Sequence, residues 1–396
     1  MKRRARRLRA HVRRGLRGFA RTIAGLLPRP AVRAAPTRAD RPIERIVVFA
    51  RLPNPTLDYY LAARLGAPGM PPSRVVDIRD RAVETLEAAG TFVLVCRYAS
   101  RRVVSWIDRH GPDLAGVGFF TDDDIGAVVT GADATLGYRL FLWRRGLAPL
   151  ARLNRHVDHV WAATPALAEA IGGDGIRVLP PAPAPEIWQG SAPQPSDDGP
   201  LRIAYHATGI HLREHRFLVP VMTEVLRRRR DVVFEVTADD RARDLWAGLE
   251  RVTVVAPTSW PAYLERTRRE RADVVVVPLL RSRANRARAG TKRIDVVRLG
   301  AAGVFSASPA YGAADDGDEV VLPNRRKLWI AAILALIDDP QARARAADAT
   351  RRAVEAMAAE ALLGIPELVA RADRTAPAAT EELRLRPASV DATAFA

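Results

Sequence analysis

The sequence predicts an α/β chain of two doubly wound parallel-sheet domains facing across a cleft, preceded by a basic helical arm. Three observations carry that expectation. Short, near-continuous apolar runs alternate with helical patterns along most of the chain, as in parallel strands covered on both faces. The alternation is broken at residues 180–200 by seven prolines. Charge is confined to one end: thirteen Lys and Arg and no acid in residues 1–39 give +13 of the net +17, leaving +4 for the other 357.

The arm, bounded at residues 1–40, has a pattern of its own. Leu8, Val12, Leu16, Phe19, Ile23 and Leu26 follow at steps of 4, 4, 3, 4 and 3, one face of a helix. Arg3, Arg6, Arg7, Arg13, Arg14, Arg17 and Arg21 fall mostly elsewhere around it. A basic amphipathic helix of this kind, residues 3–27, reads as a segment attracted to an anionic membrane surface. It is too polar to span a bilayer and lacks the apolar core and cleavage site of a secretory signal. A leader without fixed structure is the competing reading. With one aromatic in the arm and a nearly neutral body, nucleic acid is not an expected partner. The single cysteine, Cys96, excludes an intrachain disulfide and a Cys-based metal cluster; it reads as a core residue and agrees with a reducing cytoplasm, while the arm adds the expectation of a peripheral place on the inner face of the membrane.

The first domain, residues 41–183, offers six strands: RIVVFA (45–50), SRVVDI (73–78), TFVLVC (91–96), AGVGFF (115–120), DHVWAAT (158–164) and IRVLP (176–180). Helices are expected at TLDYYLAARL, RAVETLEAA, RRVVSWIDRH and the Thr-capped TPALAEAI, with a longer helical stretch before the fifth strand. Residues 184–200 form a Pro-rich linker. The second domain, residues 201–373, repeats the alternation: LRIAYHATG, DVVFEVT, RVTVVAP, ADVVVVPLL, VFSAS and EVVLP as strands. Between and after them FLVPVMTEVLRRR, RARDLWAGL, WPAYLERTRRE, TKRIDVVRLGAAG, KLWIAAILALIDD and ARARAADATRRAVEAMA read as helices. Residues 374–396, rich in Ala, Thr and Pro, form a tail. Trp106, Trp161, Trp188, Trp246, Trp260 and Trp329 read as core or interdomain packing. Two such domains place a cleft between the C-terminal ends of their strands, where open parallel sheets bind ligands.

The segment ANRARAGTKRID (284–295) falls at one of those ends and crowds Arg286, Arg288, Lys292 and Arg293 between two apolar runs. Thr291 is a plausible helix N-cap, with Gly290 easing the turn. Arg288 before that helix start and Lys292 in its first turn suit a diphosphate, and Asp295 one turn later could accept from a diol such as a ribose. A solvated helix start with a local ion pair is the alternative. In FFTDDDIG, Asp122, Asp123 and Asp124 are candidates for acceptor contact or helix capping in the cleft; consecutive side chains diverge, so no metal is assigned to them.

The run NRARAGTKRIDVVRLGAAGVFSASPAYG, with ADDGDEVVLP and KLWIAAILALIDD after it, resembles the C-terminal domain of GT-B glycosyltransferases, the family 4-like group with two Rossmann-like domains. YHATGIHLREHRFLVP and VAPTSWPAYLERT upstream are similar to the same domain, and the likeness extends more diffusely over residues 45–365. The resemblance implies a glycosyltransferase that uses a nucleotide-sugar donor and a glycan-type or lipid-linked glycan acceptor, with retention and without a metal or other cofactor. It implies that Arg288 and Lys292 meet the donor diphosphate and that Asp295 stands where a Glu usually holds the ribose. Asn285, Thr291, Gly209 and Tyr311 would complete the donor site, with His211, three residues before Glu214, beside the reaction. Retaining members commonly carry a second Glu eight positions earlier; here that position is Ala287. Two other readings follow from that departure and from the arm: a GT-B protein that binds nucleotide-sugar or glycan without turnover, and a membrane- or polyanion-binding scaffold that acts through the arm.

Overall fold

The computed structural model describes residues 27–35, 38–189, 199–207, 210–314 and 317–375. The amphipathic pattern from Leu8 to Leu26, Gly209 and the tail beyond residue 375 lie outside the described residues.

Twelve strands form two six-stranded parallel sheets, as the apolar runs predict. The first contains β1 (Arg45–Ala50), β2 (Ser73–Asp77), β3 (Thr91–Cys96), β4 (Gly116–Thr121), β5 (His159–Ala162) and β6 (Ile176–Val178), in the order β2-β1-β3-β4-β5-β6. The second contains β7 (Leu201–Tyr205), β8 (Val232–Thr237), β9 (Val252–Val255), β10 (Val274–Val277), β11 (Ala302–Ser306) and β12 (Val320–Leu322). Its order, β9-β8-β7-β10-β11-β12, is that of a dinucleotide-binding sheet. In each sheet the chain reverses direction of winding at one point, between β1 and β3 in the first and between β7 and β10 in the second. Both reversals open toward the same interdomain space.

Every residue of β3, β4 and β10 is buried, which is why these strands read as unbroken apolar runs. Helices start where the sequence supplies caps. Ser100 accepts from the Val103 amide to open α1 (Arg101–His110), Asp124 accepts from Ala127 to open α2 (Ile125–Thr130), and Thr135 accepts from Tyr138 to open α3 (Leu136–Leu142). Thr164 caps α4 (Pro165–Ile171) with proline at its first position. The second domain is covered by α5 (Leu212–Arg228), α6 (Trp260–Arg269), α7 (Lys292–Arg298), α8 (Arg326–Asp338) and α9 (Pro340–Ala359).

Three predicted helices are shorter than their patterns; one of them, RARDLWAGL, ends in a single tight turn at Trp246. RAVETLEAA holds only one tight helical turn, Arg81–Thr85, after which Leu86 is extended and Ala89 bridges Leu114. Pairing of the backbone on the way into β3 overrides the helical pattern there. TKRIDVVRLGAAG ends as a helix at Arg298, and its last two residues already belong to β11.

Close packing explains one glycine in the central strand of the first sheet. A Cβ on Gly118 would sit 2.3 Å from Cζ3 of Trp161, whose ring is fully buried. Gly118→Ala is expected to destabilise the chain by about 1–3 kcal/mol, the usual cost of overpacking a rigid core. The check is a denaturant titration in which the transition midpoint falls while its slope holds.

The domains are not merely adjacent. Ala287, Ile294, Val354, Ile365 and Leu368 from the second half of the chain join the apolar cluster built on β1, β3 and β5. The chain crosses between domains twice. The first crossing is the Pro-rich segment after β6; the second follows α9, where α10 (Pro366–Thr375), grouped by the sequence with the second domain, packs on the first. There Arg371 donates to the carbonyls of Arg38, Arg41 and Ala115, and Glu367 accepts from Nε1 of Trp161. Arg64, almost fully buried, donates to Pro180 O in the first crossing and to Glu360 O and Gly364 O in the second. The described part of the arm lies on the first domain, held by Arg33 N to Val157 O and by Arg33 and Arg38 on the buried Asp158. No helix among the described residues is long and apolar enough to cross a membrane.

Candidate active site

A cavity of about 630 Å³ lies between the two winding reversals. Its size is that of a small-molecule or cofactor site. One wall comes from the first domain: Thr56, Tyr59 and Tyr60 after β1, Arg97 after β3, Asp122 and Asp123 after β4, and Thr135 and Tyr138 at α3. The other comes from the second: Tyr205 at the end of β7 with His206 and His211 after it, the loop and helix around Trp260 and Tyr263, and Arg288, Thr291, Lys292, Asp295 and Tyr311.

The structure resolves the crowding of cations at 286–293. Arg286 is exposed and pairs with Glu169 at 3.1 Å. Arg293 turns away to Glu319 at 2.5 Å and to the carbonyls of Ala310 and Tyr311. Only Arg288 and Lys292 of the four face the cavity. Helix α7 is only seven residues long, and Thr291, at its start, makes no side-chain cap bond. The expectation of a side-chain N-cap at Thr291 is therefore corrected: what this segment presents to the cavity is the two cationic side chains. Gly290 is required for space, since a Cβ would lie 2.6 Å from the Ala310 carbonyl.

Arg288 is the hub. Its Nη1 donates to Nε2 of His211 at 2.9 Å, and its Nε lies 3.7 Å from Asp123 across the cleft. Donation to Nε2 requires that nitrogen to be unprotonated, placing the ring proton on Nδ1, 3.8 Å from Glu214. Burial, then the neighbouring Arg288 charge, lowers the His211 pKa and keeps the ring neutral. Glu214 is itself buried and accepts from the Leu280 amide at 3.1 Å and from Asn285 Nδ2 at 2.9 Å. Burial opposes its ionisation, but His211 and the Leu280 amide hold its pKa below the usual value. Asn285 thus sits under the site and braces Glu214 and the Leu280 carbonyl rather than lining the cavity.

Across the cleft, Asp122 and Asp123 converge on Arg97 at 3.0 and 2.9 Å, and Thr56 donates to Asp122 at 2.8 Å. Their environments push them apart. Burial raises the Asp122 pKa, whereas on Asp123 the charges of Arg288 and Arg97 overcome burial and lower it. Asp124 points elsewhere: it caps α2 and accepts from Arg283 at 2.8 Å. Among the described residues no group of three or more His, Cys, Asp or Glu is placed to hold a metal.

Asp295 is buried, with Lys292 at 2.6 Å on one oxygen and the Tyr59 hydroxyl donating at 2.7 Å to the other. Beside it Trp260 stacks on Tyr263, meets Tyr59 edge-on and donates to Asp58 at 2.5 Å. Tyr311 stacks on Phe305 at 4.8 Å and is buried. Ala287 is buried in the shared apolar cluster, and its carbonyl accepts from Thr164 at 2.8 Å. The Tyr205 hydroxyl and Arg288 Nε, both buried, lack a hydrogen-bond partner among the described residues. Sequence reasoning missed Arg97, Tyr59 and Tyr205. Tyr205 ends β7, Arg97 directly follows β3, and Tyr59 lies in the helical turn after β1; their place at the strand C-termini of the winding reversals is the signal that could have found them.

A scan against protein-family models finds no match, and a comparison with curated proteins finds none either. Among solved structures, the chain is similar to a UDP-forming α,α-trehalose-phosphate synthase from Burkholderia xenovorans at a TM-score of 0.54 and 11% identity, covering 85% of this chain and 100% of that one. It is similar to an E. coli trehalose-6-phosphate structure bound with UDP-2-fluoro glucose at 0.52 and 11%, covering 82% and 99%. The fold is GT-B. TarM is also similar, at 0.50 and 12%, covering 73% of this chain, which spans only 57% of TarM. At these identities the likeness is one of GT-B architecture: two facing Rossmann-like domains with the cleft just described.

Proposed function

We propose that this GT-B chain is a family 4-like glycosyltransferase that moves a sugar from a nucleotide-sugar donor to a glycan-type acceptor, lipid-linked glycans included. One observation carries the reading: of four clustered cations only Arg288 and Lys292 face the cavity, and both lie on the second domain opposite the carboxylates of the first. The donor would place its diphosphate against these two side chains and its ribose at Asp295, with Thr291 and Tyr311 along the same wall. UDP-2-fluoro glucose in the E. coli neighbour and the UDP-forming activity named for the Burkholderia one support a nucleotide-sugar as partner.

In the transfer, the bond from the anomeric carbon to the diphosphate breaks and its electron pair stays on the leaving phosphate. A bond to an acceptor hydroxyl forms, and the hydroxyl proton is released. Arg288 and Lys292 stabilise the charge that develops on the leaving group. Neutral His211 holds Arg288 from behind, and Asp122 and Asp123 form the acceptor side. Retention of anomeric configuration is the outcome that the family resemblance implies. A cytoplasmic chain, peripheral on an anionic membrane through residues 3–27, fits the basic arm.

Ala287 favours a second reading, a GT-B protein that binds nucleotide-sugar or glycan without turnover. The two share a first test, thermal unfolding of the full chain with UDP, GDP, ADP, TDP or CMP. One nucleotide at 100 times its dissociation constant is expected to add about 2.7 kcal/mol of stability. Lys292→Ala should abolish that shift. No shift with any nucleotide removes both readings; a shift without sugar transfer from the matching donor selects the second.

A further inference from the structure

The N-terminal end of helix α3 forms part of the cleft rim, and a wide turn, Trp143–Leu147, continues the helix away from it. Thr135 and Tyr138 line the cavity, while Leu142 and Leu147 are buried in the first domain. The outward side carries Leu136, Leu140 and Trp143, exposed to 83%, 54% and 41%. Steps of four and three put these three on one helical face. Scattered single apolar residues on a surface are ordinary, but three large ones aligned along one solvated helix make a patch.

Charge completes the surface. From Ala134 to Val157 the chain carries five arginines and no Asp or Glu, and Arg144, directly after Trp143, is exposed. Arg139 folds back onto the carbonyls of Ala134 and Gly131, which leaves the apolar face uncovered. The basic arm joins the body at the same place. Leu27 lies against Gly126 and shares a small cavity with Gly146 and Leu147, one turn from Trp143. The 26 residues before it hold ten Lys and Arg and no acid.

We propose that this face docks on an anionic bilayer: Leu136, Leu140 and Trp143 enter the acyl boundary while Arg144 and the arm meet the head groups. A second copy of the chain could cover the same side chains, but it would bring an equal excess of arginine against this one. The docking surface stands whether or not the cleft catalyses transfer. Because Thr135 and Tyr138 belong to the same helix, docking would set the cleft mouth at the membrane surface.

Trp143 makes the proposal measurable, since the other six tryptophans are buried or half-buried. The full chain is mixed with vesicles of equal parts phosphatidylglycerol and phosphatidylcholine, with and without brominated acyl chains. A blue shift of emission and quenching by the brominated chains are expected, both lost in Trp143→Phe although that variant still binds. Leu136→Glu with Leu140→Glu should lower vesicle partitioning on the order of 10-fold, with circular dichroism and melting unchanged. Binding that leaves Trp143 emission unmoved would assign the membrane contact to the arm alone and overturn the proposal. So would absence of binding, or partitioning unaffected by the two glutamates. A blue shift that grows with protein concentration in the absence of lipid, alongside a dimer in sedimentation, would assign the face to a second copy instead.

Discussion

Arg288→Ala is expected to lower kcat/KM for sugar transfer by about 10²–10³-fold, most of it in kcat, as when one preorganised donor to a developing oxyanion is removed. The side chain is poised for that effect because His211 and Asp123 hold it from two sides, so it reorganises little as the leaving group gains charge. The substitution also has signatures that a simple loss of substrate contact would not produce. Arg288 helps to lower the pKa of His211 and leads the charges that lower that of Asp123. Both pKa values should therefore rise in the variant. For His211 the rise is read from its ring-proton resonances across a pH titration. Arg288→Lys should recover only part of the rate, since an ammonium cannot serve His211 and a phosphate with one planar fork. Full activity in Arg288→Ala would place the leaving group elsewhere.

Asp158→Ala is expected to cost about 3–5 kcal/mol, the usual price of breaking a buried ion pair from one side. Asp158 accepts from Arg38 at 2.7 Å and from the Val117 amide at 2.9 Å and forms an ion pair with Arg33 at 3.1 Å, with almost no exposure of its side chain. Its loss strands the buried Arg38 guanidinium and an amide of the central strand β4. Burial already lowers the Arg38 pKa, and Asp158 is what most opposes it. Urea unfolding followed by tryptophan fluorescence measures the loss. Adding Arg38→Met should return much of the stability, because the stranded charge rather than the missing attraction dominates the cost. If the double variant is no better than the single one, that attribution is wrong.

The strands were legible in the sequence because the inner ones are buried on two faces and so are written as near-continuous apolar runs, while the edge strands β2 and β6, partly exposed and carrying Arg74 and Arg177, were found from the alternation with helical patterns. The gathering of Arg288, Lys292 and Asp295 on one cavity wall was legible for a related reason. Arg288, Lys292 and Asp295 lie within eight residues of one another, and their spacing could be set against a single turn and helix. What the sequence hid is what the cleft brings together from afar. Tyr59 reaches Asp295 from 236 positions away, and nothing local distinguishes it from its buried neighbour Tyr60. Arg97 is held in a left-handed backbone conformation, φ 64°, directly after β3, and its two carboxylate partners lie on the next strand's loop. The family resemblance implied that Asn285 contacts the donor, yet its amide donates to Glu214 and Leu280. A polar side chain's direction at a loop is set by the acceptors nearest in space, which spacing alone does not reveal.

Arg64 has a mechanical meaning beyond its hydrogen bonds. A two-domain chain with a single connector can swing, twist and slide about that tether. Here two connectors run side by side, close enough for one guanidinium to hold Pro180 in the first and Glu360 and Gly364 in the second. Arg64 ties the two connectors into one strap. That strap and the apolar cluster shared by the two halves set the register of the cleft walls, in which Arg288 stands 3.7 Å from Asp123.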